Sequence, residues 1–300
     1  MQPEAVEPFD NLEDLYKVYK PHLFSIAYRM LGSISDAEDM VQDLFISIYG
    51  FLTDNINNMK AYLSKMMINR CLNELKSARK KRVTYVGIWL PEPFVKQTEH
   101  NLLETIERHD TISYAFLVLM DKLTPLERAV FILREAFVYE HHEIGEMFGK
   151  SEVNCRKIFS RVKKKMNFIS EKDTLPVNQF KEKQMVKSFI TALTKGNVQS
   201  LVDLLTEDVV FISDGGGKVS TAINPICSKK RVLALLSAIS LKRFPESLAQ
   251  RVEINGRQGI LLIKKGIPTG VICFEWEPQT MFIQRIYFIV NPDKLQHILL

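Results

Sequence analysis

The chain has 300 residues, 46% of them hydrophobic, and a formal net charge of +5. That length suggests two or three domains with proper cores, no run of about 18 apolar residues marks a membrane span, and the acidic start MQPEAVEPFD is unlike a secretory leader. Four scattered cysteines (Cys71, Cys155, Cys227, Cys273) without a CxxC pair, and six His without metal-ligand spacing, point to reduced thiols, no metal, no cofactor and a cytoplasmic protein.

In chain order, Asn11 is placed to cap a first helix that runs to about Leu31, with Leu15, Val18, Tyr19, His22, Leu23, Ile26 and Met30 on one face. Gly32 breaks it. Ser35 then starts a second helix, with Glu38 three residues on as a capping box. Its buried stripe is Ala37, Met40, Val41, Leu44 and Ile48, and Asp36, Asp39 and Asp43 share the opposite face. Spacing alone reads this row as a plain acidic surface, favoured by the helix dipole. After the polar loop TDNINN, a long helix from about Met59 to Lys81 carries Tyr62, Leu63, Met66, Met67, Leu72 and Leu75 on its apolar side. Eight basic residues stand between Lys60 and Arg82 against the single acid Glu74, and Asn69 and Asn73 lie one turn apart. Basic side chains hold phosphates and neighbouring amides bond to bases, so Asn69, Arg70, Asn73, Lys76, Arg79 and Lys80 are candidate nucleic-acid contacts.

The next stretch, VTYVGIWLPEPFVKQTEH, is a linker. Pro91 and Pro93 keep it extended, and Trp89, Leu90 and Phe94 are costly to expose, so it should be docked. Thr124, Pro125 and Glu127 start a helix with a capping box. A short helix from about Glu143 to Phe148 ends at Gly149. Ser151 then caps a third helix, from Glu152 to Met166. Two helices joined by a tight turn suggest a helix-turn-helix. In its last helix Val153, Ile158 and Val162 are expected to face the partner helices. Asn154, Arg156, Lys157, Ser160, Arg161, Lys163, Lys164 and Lys165 form a basic face suited to the major groove.

The motifs DAEDMVQDLF, AYLSKMMINRCLNELK and LTPLERAVFILREAF…EIGEMFGKSEVNCRKIFSRVKKK, in this order, resemble extracytoplasmic-function sigma factors of bacterial RNA polymerase over about the first 168 residues. The resemblance implies that Asp36, Asp39, Gln42 and Asp43 face the polymerase β′ clamp helices, which reverses the plain reading of that row. It also implies that the 59–81 helix and the 53–58 loop handle the −10 element, that the helix-turn-helix reads the −35 element, and that the β flap is a further partner. The family usually has Asp where this chain has Asn73.

After Met166, NFISEKDTLPVN reads as a short polar linker. Helices at 177–193 and 198–205 precede a glycine turn, a helix at 229–239 and a series of strands, an α+β domain with a curved antiparallel sheet. This order resembles the SnoaL-like, or NTF2-like, cone fold. WLPEP, DGGGK and NPDKL are similar to motifs of sigma factors that carry this appended domain. The resemblance gives Trp89, Leu90, Pro91, Glu92 and Pro93, with Asp214, Gly215, Gly216, Gly217 and Lys218 and with Asn291, Pro292, Asp293, Lys294 and Leu295, a regulatory interdomain role. From the residues alone, the three glycines make a tight hairpin. Asp293 is placed to cap a last helix whose aliphatic end, Leu295 to Leu300, wants a docking surface.

The expected fold is therefore multi-domain: two all-α sigma domains, the second a helix-turn-helix, followed by an α+β NTF2-like cone. The expected divisions are a promoter-melting and core-binding domain (residues 1–82), a linker (83–103), a helix-turn-helix domain (104–168), a second linker (169–176) and a SnoaL-like domain (177–300). The expected function is an alternative sigma factor, not an enzyme, modulated in cis by its last domain, with core RNA polymerase and promoter DNA as partners and no membrane. Two rivals stand beside it. One is a repressor that senses an unidentified small ligand in the cone pocket. The other is a DNA-tethered isomerase with Asp214 as base and Tyr287 or Trp276 as donor.

Overall fold

The computed structural model describes residues 12–49, 56, 58–82, 85–96, 113–173, 179–243, 247–277 and 279–298, with backbone alone at 78–82, 167–173, 179, 198 and 241–243. The N-terminal part consists of α1 (Leu12–Leu31), α2 (Ile34–Ile48), α3 (Met59–Arg82), α4 (Tyr114–Met120), α5 (Pro125–Glu135), α6 (His141–Phe148) and α7 (Glu152–Asp173). Asn11, expected as the first cap, lies outside the described residues.

These seven helices share one hydrophobic core. In α1, Leu15, Tyr19, Leu23, Ile26 and Met30 are buried as expected, but Val18 is 57% exposed. From Leu23 to Leu31 every residue of α1 is buried. Two- and three-helix packing buries one stripe of a helix. Burial all round means that α1 is enclosed, and α5 packs against it beside α2 and α3.

The start of α2 differs from the Ser35–Glu38 capping box that the spacing predicts. Ser33 is the cap, its hydroxyl accepting from the Asp36 N–H at 3.1 Å. The carboxylate that completes this cap comes from the linker, as described below. On α3, Leu63, Met67, Ile68, Cys71 and Leu75 are buried, while Tyr62 is 41% exposed and Met66 and Leu72 pack at the margin. The last helix of this part runs beyond Met166 to Asp173, into the segment expected as a linker. Nothing in NFISEKD stops a helix, and the first breaker is Pro176.

The C-terminal part contains α8 (Gln179–Thr194), α9 (Val198–Val202), β1 (Leu205–Asp214), β2 (Ile226–Cys227), α10 (Lys229–Arg243), β3 (Leu248–Ile254), β4 (Arg257–Lys264), β5 (Ile267–Trp276), β6 (Ile283–Ile289) and a closing 3-10 turn (Pro292–Leu295). The sheet order is β2-β1-β6-β5-β4-β3. It is not wholly antiparallel: β1 pairs with β6 in parallel. Parallel neighbours need a long crossover, and here the whole stretch from β2 to β5 intervenes.

Both faces of this sheet are covered. One packs Ile260, Leu262, Ile272, Phe274, Trp276 and Phe288 against Val186, Phe189 and Leu193 of α8 and Leu236 of α10. The other packs Leu261, Val271, Cys273, Tyr287 and Ile289 against Leu90 and Val95 of the linker and Tyr114 and Ala115 of α4. A strand covered on both faces loses polar alternation, and Gly270–Trp276 in β5 is buried without interruption. Leu295 and Ile298 of the tail join the second face, which is the docking surface that their aliphatic character called for.

Candidate functional site

Asp36, Asp39, Gln42 and Asp43 are all exposed along one side of α2, opposite the buried Ala37, Val41, Leu44 and Ile48. Ile46 and Tyr49, 72% and 73% exposed, continue this side towards its end. On α3, Asn69, Asn73 and Lys76 are exposed and Arg70 is half-buried. Arg79 and Lys80 belong to the helix, but their side chains are outside the description. Of the 53–58 loop only Ile56 and Asn58 are described, and Asn58 caps α3 by accepting from the Ala61 N–H at 3.0 Å.

The helix-turn-helix is built as its sequence signals. Thr124 and Glu127 form a reciprocal capping box with Pro125 in the first turn. Gly149 ends α6 at φ 63°. Ser151 accepts from the Asn154 N–H at 3.3 Å to start α7. Cys155, Ile158, Val162 and Met166 are the buried side of α7. Val153, expected inside, is 58% exposed, and Cys155 takes the inner position. At 3.6 residues per turn Val153 lies opposite that stripe. Asn154, Arg156, Lys157, Ser160, Arg161 and Lys164 are exposed as well, and Arg156 pairs with Glu152 one turn back. Two lysines of the basic face serve α5 instead: Lys165 bonds Glu127 at 2.6 Å, and Lys163 lies 3.5 Å from Glu135. Burial would raise the Glu127 carboxyl, but bonds from Lys165 and Thr124 outweigh it and hold it below its usual range.

The two halves of the helical part meet directly. His22 on α1 and Ser64 on α3 are 2.9 Å apart, and Ser64 is 3.0 Å from the hydroxyl of Tyr139, just before α6. Phe137 lies edge-on to His22, with ring centroids 4.8 Å apart, and under the Arg29 guanidinium at 5.0 Å. The buried Arg128 of α5 donates to the Met30 carbonyl at the end of α1. Burial, followed by Lys60 and Arg29, lowers the His22 pKa to about 3, so the imidazole is neutral at ordinary pH.

Residues 85–96 run between the helical part and the sheet, and the polar groups of both converge on them. Asp214, at the end of β1, is 1% exposed. It accepts from Tyr85 Oη at 2.6 Å, Leu90 N at 2.8 Å, Gly216 N at 2.9 Å and Lys294 Nζ at 2.7 Å. Lys294 also donates to the Leu90 carbonyl and sits 4.2 Å over the Trp89 ring. Gly216 has φ 60°, and a Cβ there would come within 2.3 Å of the Asn291 amide, so the turn admits only glycine. Asn291 donates to Tyr85 at 3.0 Å and caps the closing turn by accepting from the Asp293 N–H, a place expected of Asp293. Asp293 itself pairs with Lys218 at 2.7 Å.

On the other side, Glu92 is buried against the start of α2. Its carboxylate accepts from Ile34 N at 2.6 Å, Ser33 Oγ at 3.0 Å and Ser35 N at 3.3 Å. An anion at these free N–H groups is favoured by the helix dipole. Glu92 N donates to the Gly32 carbonyl at 2.8 Å, and Tyr28 Oη to the Glu92 carbonyl at 2.8 Å. Gly32, at φ 69°, would place a Cβ 2.9 Å from the Trp89 ring. Pro91 accepts from Tyr114 Oη at 2.7 Å, and Pro93 O lies 3.0 Å from His297. Asn255 brackets Phe94, with N–H to O at 2.8 Å and Phe94 N to Oδ1 at 3.0 Å, and its amide donates to Tyr28 at 2.9 Å.

Trp89–Pro93, Asp214–Lys218 and Asn291–Leu295 are therefore neighbours. Tyr28, Tyr85, Tyr114 and Asn255 belong to the same junction, and the sequence marked none of them for it. Asn255 was visible only as half of an Asn-Gly turn, and its φ of 49° is the turn conformation. The trio named for an isomerase does not converge. Asp214 is occupied by four donors, Tyr287 donates to Glu275 at 2.9 Å, and Trp276 lies on the opposite face of the sheet from Tyr287. Among the described residues no group of three His, Cys, Asp or Glu could hold a metal, and no helix is long and apolar enough to cross a membrane.

The sequence matches Sigma-70 region 2 over residues 15–81 and Sigma-70, region 4 over residues 113–166. It is 28% identical over 303 aligned residues to ECF RNA polymerase sigma factor SigJ of Mycobacterium tuberculosis, covering 93% of this chain and 91% of that protein. The crystal structure of SigJ superposes with a TM-score of 0.74 at 25% identity, over 94% of this chain and 97% of that one. A protein described as a SnoaL-like polyketide cyclase, from Shewanella denitrificans OS-217, covers 38% of this chain and 92% of its own at a TM-score of 0.26 and 18% identity.

Proposed function

Since this chain is an extracytoplasmic-function sigma factor with a C-terminal SnoaL-like domain, we propose that it directs core polymerase to its promoters from a closed resting state that the last domain holds together. The acidic row of α2 engages the β′ clamp helices, α3 and the 53–58 loop handle the −10 element, α7 reads the −35 element, and the helix-turn-helix unit meets the β flap. The SnoaL-like domain acts as a regulator, not a catalyst, and the protein works in the cytoplasm, where polymerase and promoter DNA are.

The observation that carries this reading is the double grip on the linker. Glu92 holds it to α2, and Asp214 with Lys294 holds it to the sheet domain. By their names the two promoter elements lie about 25 base pairs apart, or about 85 Å at about 3.4 Å per base pair. Two helical units that share a core and touch at Ser64 and Tyr139 do not span that distance. The closed state is thus a resting state, and release of the linker accompanies opening. Covalent attachment makes such an internal clasp effective at an effective concentration on the order of mM.

Promoter-specific transcription by three forms tests this: intact, ending before Asn291, and ending after Met166. Removal of the tail, with Lys294, is expected to raise activity. Removal of the whole domain is expected to lower it if the domain also steadies the open arrangement. Equal activity of all three, with equal proteolytic sensitivity across residues 83–100, would make the domain a passenger.

A further inference from the structure

The exposed face of α7 is not uniformly polar. Val153 stands in its first turn at 58% exposure, on one line with Lys157, Ser160 and Lys164. Fold stability does not account for it there. A β-branched residue is a poor helix former, and this one buries little, since Cys155, Ile158 and Val162 supply the inner contacts. The helix entry is capped without it, by Ser151. Its neighbours Asn154 and Arg156 carry the groups that bond adenine and guanine edges. The one base edge in the major groove that offers a methyl group is that of thymine, and a compact apolar side chain is its complement.

We propose that Val153 is a specificity-determining residue that packs on a thymine 5-methyl in the −35 element. The proposal rests on the reading of α7 as the −35 helix. Covering one methyl is worth roughly a fourfold change in binding. Arg156 stands three residues after Val153 on the same exposed side of α7 and pairs with Glu152, so on this reading the two side chains address neighbouring bases.

The test uses full-length protein with core polymerase. A −35 sequence is first selected from a randomised pool, and each of its thymines is then replaced in turn by deoxyuridine, which removes only the methyl. Wild type is expected to lose roughly fourfold in binding at one thymine. Val153→Ala, exposed and better suited to a helix, is expected to fold normally and to bind the thymine and uracil forms of that site equally. Equal methyl sensitivity in wild type and Val153→Ala, or no sensitive thymine, overturns the proposal while Arg156→Ala still shifts the selected sequence. If Arg156→Ala, Lys164→Ala and Val153→Ala all leave the selected sequence and its affinity unchanged, the assignment of α7 to the −35 element fails as well.

Discussion

At the scale of single residues, the junction is asymmetric in a way that mutation can expose. Asp214 accepts from three donors besides Lys294, and the Lys294 ammonium meets the Asp214 carboxylate, the Leu90 carbonyl and the faces of Tyr85 and Trp89. Breaking a buried pair costs most when it strands an uncompensated charge, about 3–5 kcal/mol. Asp214→Ala is therefore expected to cost about that much, and Lys294→Ala clearly less, in chemical denaturation monitored by tryptophan fluorescence. Equal losses would mean that the pair, not the stranded lysine, sets the energy.

His22 gives a pH dependence with a definite sign. Its pKa falls from the usual 6.5 to about 3 in the closed state. Neutral imidazole is the form that the closed state tolerates, so this contribution is fully present above pH 6.5 and is lost as pH falls from there towards 3. Each unit below 6.5 costs about 1.4 kcal/mol. A stability profile between pH 7.5 and 5.5 is expected to flatten in His22→Gln relative to wild type. Parallel profiles would show that His22 titrates normally.

At the scale of elements, α2 and α7 had readable faces, and what escaped reading came from outside each element. The buried stripe and acidic row of α2 follow from 3.6-residue spacing. Its cap partner does not, because Glu92 stands 58 residues from Ile34 and only the folded linker brings it there. On α7 the basic face was legible. Val153 was not, since an apolar residue near a helix start reads as core until the packing partner is seen to be Cys155. The exposed row of α2 makes a clean prediction: Asp39→Arg with Asp43→Arg should abolish binding to core polymerase with unchanged thermal unfolding. Retained promoter initiation by this variant would reassign the face. On α7, Arg156→Ala is expected to lose about 1–3 kcal/mol of discrimination at one base. Lys164→Ala should weaken all sequences alike and lower the salt slope by about one. Sequence-blind losses from both would make Arg156 a phosphate contact.

For the whole molecule, the linker motif announced that it must dock, because Trp89, Leu90 and Phe94 are costly to expose. The two later motifs announced turns with polar ends. That all three form one junction rests on contacts between residues such as Leu90 and Asp214, 124 positions apart, and Asn255 and Tyr28, 227 apart. Local periodicity carries no information at that range. Nor did it show that the two helical units share a core, which the all-round burial of Leu23–Leu31 and the contacts of Ser64 with Tyr139 and of Arg128 with the Met30 carbonyl make plain. On the proposed function, the consequence is a molecule whose α2 acidic row and α7 basic face are exposed while the two helical units stay packed together.

Single-molecule distance measurement between labels at Lys65 on α3 and Glu146 on α6, both exposed, in a Cys227→Ser background that removes the exposed cysteine, tests this most directly. One short distance is expected in the free protein, a growing long-distance population in Asp214→Ala, and a single long distance, greater by tens of ångströms, on core polymerase with promoter DNA. An unchanged short distance in the promoter complex would contradict it.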